Sequence, residues 1–188
     1  MKQRIHRLQL PCEKQDLMDL SVGDSVYLSG VLFTARDAAH QLLLQTPKYE
    51  IIFDPDSKGL YLCGPLMKHI GEKWVVISAG PTTSSRMNLF ESDFLQKFSQ
   101  IRLVIGKGDI GDSTKKILKD RGVYLVYTGG TGALAADQIT KVLDVFYLEE
   151  LGMAEAIWVF EVSSFGPLIV ASDIKGNSIF TTNGVNTL

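Results

Sequence analysis

One arginine of this chain stands in a run of small hydrogen-bonding side chains. Residues 78–87, SAGPTTSSRM, place Thr83 and Ser84 among four consecutive hydroxyl residues that lead to Arg86. A guanidinium group grips a carboxylate through two parallel hydrogen bonds, and nearby hydroxyls and backbone amides add further donors. We therefore predict that this segment binds an anionic substrate and that Arg86, Thr83 and Ser84 contact it.

Two glycine-rich segments offer further polar groups. GKGDIG, residues 106–111, holds Lys107 and Asp109, and GGTGALAA, residues 129–136, holds Thr131. Glycine lets the backbone approach a ligand closely, and Lys107 adds a point charge. Both segments lie at the ends of apolar stretches. We therefore expect them to be loops at strand ends, where open α/β sheets bind ligands.

A fourth segment carries charge at a predicted junction between a strand and a helix. TARDAAH, residues 34–40, holds Arg36, Asp37 and His40. Arg36 and His40 are four residues apart, so on a helix they share a face. Together the four segments predict a cationic pocket for a small di-acid.

The segment at 129–136 also fits a second interpretation. Gly130-x-Gly132-x-x-Ala135 matches the dinucleotide fingerprint GxGxxA, and Glu149 lies near the spacing of a ribose contact. The fingerprint comes late in the chain, however, and the earlier half lacks a second mononucleotide unit. NAD or FAD binding is therefore the alternative to a di-acid site here.

Composition narrows the class of protein. The chain has 188 residues and a net charge of −2, so we expect one domain over 1–188 and no nucleic-acid partner. No apolar run approaches the roughly 18 residues needed to span a bilayer, and we see no signal peptide. We therefore expect a cytoplasmic protein with no membrane partner.

The two cysteines, Cys12 and Cys63, lie far apart in the sequence. They form no metal-binding pattern such as CxxC, and in the cytoplasm they would stay reduced. We expect no metal site on this chain.

Hydrophobic patterning predicts an alternation of strands and helices. The predicted strands are 24–33, 49–53, 59–65, 73–81, 101–109, 123–132, 156–165 and 167–180, and the predicted helices are 34–45, 91–100, 113–122 and 133–143. The middle and later part favours a parallel sheet, whereas the strand-rich ends suggest antiparallel additions. We therefore predict a layered α/β domain with a partly parallel central sheet and a second, strand-rich sheet.

Five ordered motifs carry a family resemblance. GDSVYLSGVLFTARDAAH, SAGPTTSSRM, GKGDIG, ELGMAEAIWVFEV and FGPLIVASDIKGN together resemble the β subunit of class I fumarate hydratase and the similar L(+)-tartrate dehydratase. The resemblance runs in order from about Asp19 to Asn177. It implies the swivelling β/β/α domain, which agrees with two sheets.

The resemblance also implies an activity and a partner. The expected function is a hydro-lyase that reversibly adds or removes water on a C4 dicarboxylate, with fumarate and malate as first choice and tartrate as the alternative. A separate α subunit would carry a four-iron four-sulfur cluster, and the two chains would form a heterotetramer. This chain would hold no cofactor of its own and would be inactive alone.

The resemblance assigns roles to the candidate residues. His40, Thr131 and Lys107 are the expected catalytic residues, with His40 in substrate binding or proton transfer and Thr131 at the position of a proposed base. Arg36 and Arg86, with Thr83 and Ser84, are the expected substrate-binding residues. Asp37 and Asp109 are expected to support them.

Two other functions remain open. The swivelling fold also occurs in phosphohistidine carriers, in which case His40 would lie exposed on a mobile surface loop. The chain could also be a binding subunit without a partner. A cysteine-bearing α-subunit gene beside this one would favour the hydro-lyase.

Overall fold

A computed structural model describes residues 3–56 and 58–180 of the chain. Its strands are β1 (Ile5–Gln9), β2 (Ser25–Thr34), β3 (Gly59–Tyr61), β4 (Leu66–Ile70), β5 (Lys73–Ser78), β6 (Leu103–Gly106), β7 (Val123–Val126), β8 (Ile139–Phe146) and β9 (Ile157–Ser172). Its α-helices are α1 (Lys14–Leu17), α2 (Asp37–Gln45), α3 (Glu91–Lys97), α4 (Asp112–Leu118), α5 (Gly132–Asp137) and α6 (Leu148–Leu151), and two short 3-10 helices are Lys48–Glu50 and Ser84–Met87. None of these helices is long and apolar enough to cross a membrane.

Five strands of the main sheet close into a barrel. Strands β2, β3, β6 and β7 run parallel in that order, and β9 pairs antiparallel with both β7 and β2. The closure is possible because β9 is 16 residues long and reaches both partners. Strand β1 adds to β2 outside the barrel and β8 adds to β9, so that seven strands of the described residues form this sheet.

A second sheet is the antiparallel hairpin of β4 and β5. Trp74 of this hairpin packs edge-on against Trp158 of β9, with 5.1 Å between the ring centroids. The prediction of a mixed α/β fold with a partly parallel central sheet and a second sheet is confirmed. The closure of the central sheet was not predicted.

Apolar side chains form a core on each face of the parallel strands. Side chains alternate across a strand, so in β6 Leu103 and Ile105 join one core and Val104 joins the other. The second core packs against α2, α3 and α4 through residues such as Leu43 and Phe94. Burial on both faces explains why these strands read as continuous apolar runs.

Three local predictions were wrong. Residues 51–53 are outside the strands, and Phe53 is apolar because it packs against Phe33, with ring centroids 5.0 Å apart. The predicted helix 133–143 ends at Asp137, because residues 139–146 pair with β9 as strand β8. The two strands predicted at 156–165 and 167–180 are one continuous strand, β9. Strand β1, which was not predicted, pairs parallel to β2.

Candidate active site at the ends of the parallel strands

The loops that carry the candidate residues meet at one edge of the barrel. The parallel strands β2, β3, β6 and β7 all end there, followed by Arg36, Gly64, Lys107 and the 127–131 loop respectively. The antiparallel strand β9 begins there, just after Glu155. This edge is where sheets with parallel strands present ligand-binding loops.

The SAGPTTSSRM segment reaches this edge by another path. It follows β5 of the separate hairpin and not a strand of the central sheet. Isolated bridges join Pro81 to Cys63 and Thr83 to Lys107, next to the ends of β3 and β6. The segment therefore lies across the barrel edge as an added piece of extended chain.

Arg86 and Arg36 face one shared carboxylate. Asp37 Oδ2 lies 3.2 Å from Arg86 Nη2 and 3.7 Å from Arg36 Nη2. Arg36 has a second acidic partner, because its Nη2 lies 3.3 Å from Glu155 Oε1. The side chain of Arg86 is 56% exposed, whereas that of Arg36 is 20% exposed. Arg86 is thus the arginine more open to an incoming carboxylate.

Gly64 makes room for the Arg36 side chain. A Cβ atom placed on Gly64 would lie 2.6 Å from Arg36 Nη1 and 2.6 Å from the carbonyl oxygen of Ala154. Either distance is shorter than side chains tolerate, so a larger residue here would displace the guanidinium. Glu155 fixes the same region, because its Oε2 accepts a hydrogen bond from the backbone N–H of Ala38 at 3.0 Å.

Ser84 links the SAGPTTSSRM segment to the barrel from below the surface. Its side chain is completely buried, and its Oγ accepts hydrogen bonds from the backbone N–H of Lys107 at 3.0 Å and from the Tyr124 hydroxyl at 2.8 Å. Gly106 is required at this contact because a Cβ atom there would overlap Ser84 Oγ. The Ser84 hydroxyl therefore holds the loop in place and does not face the surface, where we expected a substrate contact.

Lys107, Thr83 and Thr131 lie at the same edge. Thr83 is exposed beside the backbone of Lys107, whose own side chain is half-buried near Gly129. Thr131 precedes α5, and its hydroxyl donates to the carbonyl oxygen of Thr128 at 2.6 Å. A base role for Thr131 stays a prediction, since its hydroxyl proton is directed to a backbone acceptor.

His40 lies beneath this edge. It is completely buried, its Nε2 lies 2.9 Å from Glu91 Oε2, and its Nδ1 lies 2.8 Å from the carbonyl oxygen of Arg36. Burial is the largest single effect and lowers the pKa of His40, but the Glu91 carboxylate, the Arg36 carbonyl and the Asp37 carboxylate together outweigh it, so the pKa is raised overall. A part for His40 in proton transfer stays a prediction, since the ring contacts Glu91 and Arg36 and has no exposed surface.

Asp109 serves its own loop and the following helix. Its Oδ1 accepts a hydrogen bond from the backbone N–H of Ile110 at 2.8 Å and lies 2.8 Å from Lys115 Nζ. Partial burial is the largest single effect on the pKa of Lys115 and lowers it, but the hydrogen bonds and charges of Asp109 and Asp112 together outweigh it, so the pKa is raised. Asp109 thus supports the loop that carries Lys107.

The dinucleotide interpretation does not agree with the fold. A Rossmann unit places the strand after the helix beside the strand before it. Here β9 lies between β7 and β8, and the helix after the fingerprint, α5, has six residues. NAD or FAD binding through Gly130 and Glu149 is therefore rejected.

The cysteines do not form a cluster site. Within residues 3–56 and 58–180, no group of three or more His, Cys, Asp or Glu side chains is placed to hold a metal ion. Cys12 and Cys63 are both buried free thiols. Burial raises the pKa of Cys12 to about 11 and raises that of Cys63 as well, which disfavours the thiolate that a metal requires. The residues present do not fit an iron–sulfur cluster.

Two acidic residues of the site were missed from the sequence. Glu155 lies in ELGMAEAIWVFEV, one of the motifs that carry the resemblance, but no role was assigned to it. Glu91 opens a predicted helix, where an acidic residue is common because it complements the helix dipole. The burial of Glu91 and its contact with His40 depend on long-range packing.

The closed α/β barrel and its charged edge define a domain suited to binding small anionic ligands. The model of the family described as Fumarase C-terminus matches residues 2–183, and the chain belongs to this family. The L(+)-tartrate dehydratase subunit beta of Escherichia coli K12 is 39% identical over 177 residues, which are 94% of this chain and 87% of that protein.

A second kind of relative is a longer protein. A Geobacillus stearothermophilus protein, provisionally named a class I fumarate hydratase, is 38% identical over 180 residues. The match covers 95% of this chain and 34% of that protein. The resemblance to class I fumarate hydratase and tartrate dehydratase is thereby confirmed, and the relatives are hydro-lyases and hydro-lyase subunits.

Proposed function

We propose that this chain is the β subunit of a two-subunit hydro-lyase that adds or removes water on a C4 dicarboxylate. Its membership of the Fumarase C-terminus family supports the proposal, as do relatives named as dehydratase and hydratase proteins. Fumarate and malate are the substrates that we put first, and L-tartrate is the alternative. We also propose that residues 1–188 form one domain of the swivelling type. A cytoplasmic location of the protein stays a prediction.

The observation that carries the proposal is the exposed guanidinium of Arg86. Asp37 holds it from one side at 3.2 Å, while more than half of the side chain is open. An arginine fixed in this way can offer two parallel N–H groups to a carboxylate without first losing much side-chain freedom. Arg36, which has two acidic partners, keeps Asp37 in place and contributes positive charge behind Arg86.

Lys107 and the loop hydroxyls complete the proposed site. Proton removal next to a carboxylate builds a second negative charge on that carboxylate, and donors placed where this charge develops lower the barrier. Lys107 and Thr83 are neighbours on this edge and can supply such donors. Thr131 remains the candidate for proton transfer that the resemblance implies, whereas His40, which is completely buried, supports the site from behind and transfers no proton in this proposal.

The partner is the second part of the proposal. The β-subunit names of the relatives support a partner subunit, and we propose that it carries the four-iron four-sulfur cluster within a heterotetramer. Within the part of the chain that the structure describes, no set of side chains could ligate that cluster. What this chain does is bind and orient the carboxylates.

The phosphohistidine alternative is not supported. It required His40 to be exposed on a surface loop, but His40 is completely buried within helix α2. A phosphoryl donor cannot reach either ring nitrogen in this arrangement. We therefore do not retain a phosphocarrier function.

Purification of this chain with and without its α subunit under anaerobic conditions tests the proposal. We expect no turnover by the isolated chain and reversible hydration of fumarate, or dehydration of L-tartrate, by the complex. Comparison of kcat/KM for the two substrates identifies the physiological one. Turnover by the isolated chain would contradict the proposal. So would a complex that contains its iron–sulfur cluster but acts on neither substrate.

A further inference from the structure

A buried ion pair lies beneath the proposed carboxylate site. His40 of α2 and Glu91 of α3 are both 0% exposed, and 2.9 Å separates His40 Nε2 from Glu91 Oε2. The His40 ring is enclosed by Phe94, with ring centroids 4.3 Å apart, and Phe90, at 5.6 Å. These aromatic walls leave the ring little freedom to turn away from Glu91.

The pair connects the two segments that carry the arginines. His40 lies one turn after Arg36 in α2, and its Nδ1 contacts the carbonyl oxygen of Arg36 at 2.8 Å. Glu91 is the first residue of α3, which follows the 3-10 helix that holds Arg86. Above the pair, Asp37 and Arg86 join the same two segments at the surface. The segments are therefore linked twice, once in solvent and once in the core.

The two links differ in strength. Arg86 is mostly exposed, and exposed ion pairs hold their partners weakly. In the buried link, His40 Nδ1 contacts the Arg36 carbonyl oxygen and Nε2 lies 2.9 Å from the Glu91 carboxylate, so a protonated ring is attracted to an oxygen on each side without screening by water. Asp37 is the other charged group that acts on His40 from its own helix. The buried link therefore determines how far apart the two segments stand.

We infer that the His40–Glu91 pair is a positioning device that sets the spacing of Arg36 and Arg86 for the substrate carboxylates. Glu91 acts through His40 and the Arg36 backbone and does not touch substrate. This inference rests on the proposed function, because it concerns the same site. It adds Glu91 to that site and gives His40 a structural task.

Replacement of the whole pair by apolar residues separates positioning from folding. Buried ion pairs exchanged for apolar side chains of similar volume often leave stability unchanged or improved. We expect the His40→Phe/Glu91→Leu variant to fold, and its complex with the α subunit to show a KM for the dicarboxylate raised roughly tenfold, with kcat changed less than about threefold. An unchanged KM in a folded, active complex would overturn the inference.

Two single substitutions are the controls. Glu91→Gln keeps the length and hydrogen-bonding reach of the side chain, so its KM should stay within about threefold of the wild-type value. Leu95→Ala removes packing from a fully buried position one turn along α3, so it should lower the unfolding temperature and leave KM unchanged. A rise in KM for Glu91→Gln or Leu95→Ala as large as that of the double variant would contradict positioning by the pair.

A crystal structure of the full chain carrying His40→Phe/Glu91→Leu tests the inference without activity. We expect the contact between Arg86 Nη2 and Asp37 Oδ2, 3.2 Å in the wild type, to be lost. If this contact is kept, the inference fails whatever the enzyme does. A different result separates the two proposals: if the contact is lost in the variant but the wild-type complex hydrates no dicarboxylate, the proposed function fails and the positioning role stands.

Discussion

Arg86→Lys should damage catalysis while leaving the fold almost unchanged. The Arg86 side chain is 56% exposed and pairs with Asp37, which is 26% exposed, across 3.2 Å. An ion pair this open contributes less than about 1 kcal/mol to stability, and lysine keeps the charge. The free energy of unfolding should therefore change by less than about 1 kcal/mol.

The effect on the reaction should be much larger. Lysine cannot offer two parallel N–H groups in one plane, so the transition state loses a charged hydrogen bond worth about 1.5–3 kcal/mol. That loss corresponds to a decrease in kcat/KM of roughly 10- to 150-fold. The measurement is steady-state hydration by the complex with its α subunit under anaerobic conditions, together with urea unfolding of each variant chain.

Arg102→Lys is the matched control for this prediction. Arg102 also forms an ion pair with a carboxylate, at 3.0 Å from Glu13, but it precedes β6 and so lies at the opposite end of that strand from Lys107. We expect Arg102→Lys to leave kcat/KM within about twofold of wild type. If Arg86→Lys gives the same result as Arg102→Lys, Arg86 is a surface charge and the carboxylate site is wrong.

Two further predictions concern the frame of the site and the stability of the fold. Gly64→Ala should displace the Arg36 guanidinium, because the new Cβ would lie 2.6 Å from it, and activity should fall. Gly129→Ala should be tolerated, because its Cβ would meet its nearest atom at 3.9 Å. Equal kinetics for the two variants would refute the expectation for Gly64. Burial raises the pKa of Asp24, but hydrogen bonds led by that from Arg4 outweigh burial and hold the pKa below its usual value. The contribution of Asp24 to stability is therefore present above about pH 4 and is lost as the pH falls through the lowered pKa. Asp24→Asn should therefore lower the free energy of unfolding by about 1–3 kcal/mol at pH 7 and by less near pH 3, as measured by urea denaturation, and no loss at pH 7 would contradict this.

The parallel part of the fold could be predicted because its signals are local. The strand β6, helix α4 and strand β7 follow one another with glycines at the junctions, and both strands are continuous apolar runs. Barrel closure depends on β9 pairing with both β2 and β7, which are far from it in the sequence. Local patterns carry no information about such a pairing.

Strand β8 shows how tertiary pairing overrides local spacing. A helix was predicted over 133–143 because this segment follows a strand that ends in glycines. In the structure, Val142 pairs with Phe160 of β9, and the β-branched residues around it suit a strand. The energy of this long-range ladder decides the conformation.

The gathering of the candidate residues at one edge could be predicted, whereas the burial of one of them could not. Arg36, Arg86 and Lys107 could be found because charged residues in strand-end loops gather at one edge. The burial of His40 and its pairing with Glu91 result from the packing of α2 against α3, which no motif records. No sequence signal therefore indicated that His40, expected to act on substrate, is completely buried.

A crystal structure of the complex with the α subunit, soaked with a non-reacting C4 dicarboxylate such as succinate, tests the central claim most directly. We expect one carboxylate to be bound by the two outer N–H groups of Arg86, on the side away from Asp37, with Lys107 Nζ within hydrogen-bonding reach of the ligand. A dicarboxylate bound in the same crystal without contact to Arg86 or Lys107 would contradict the account.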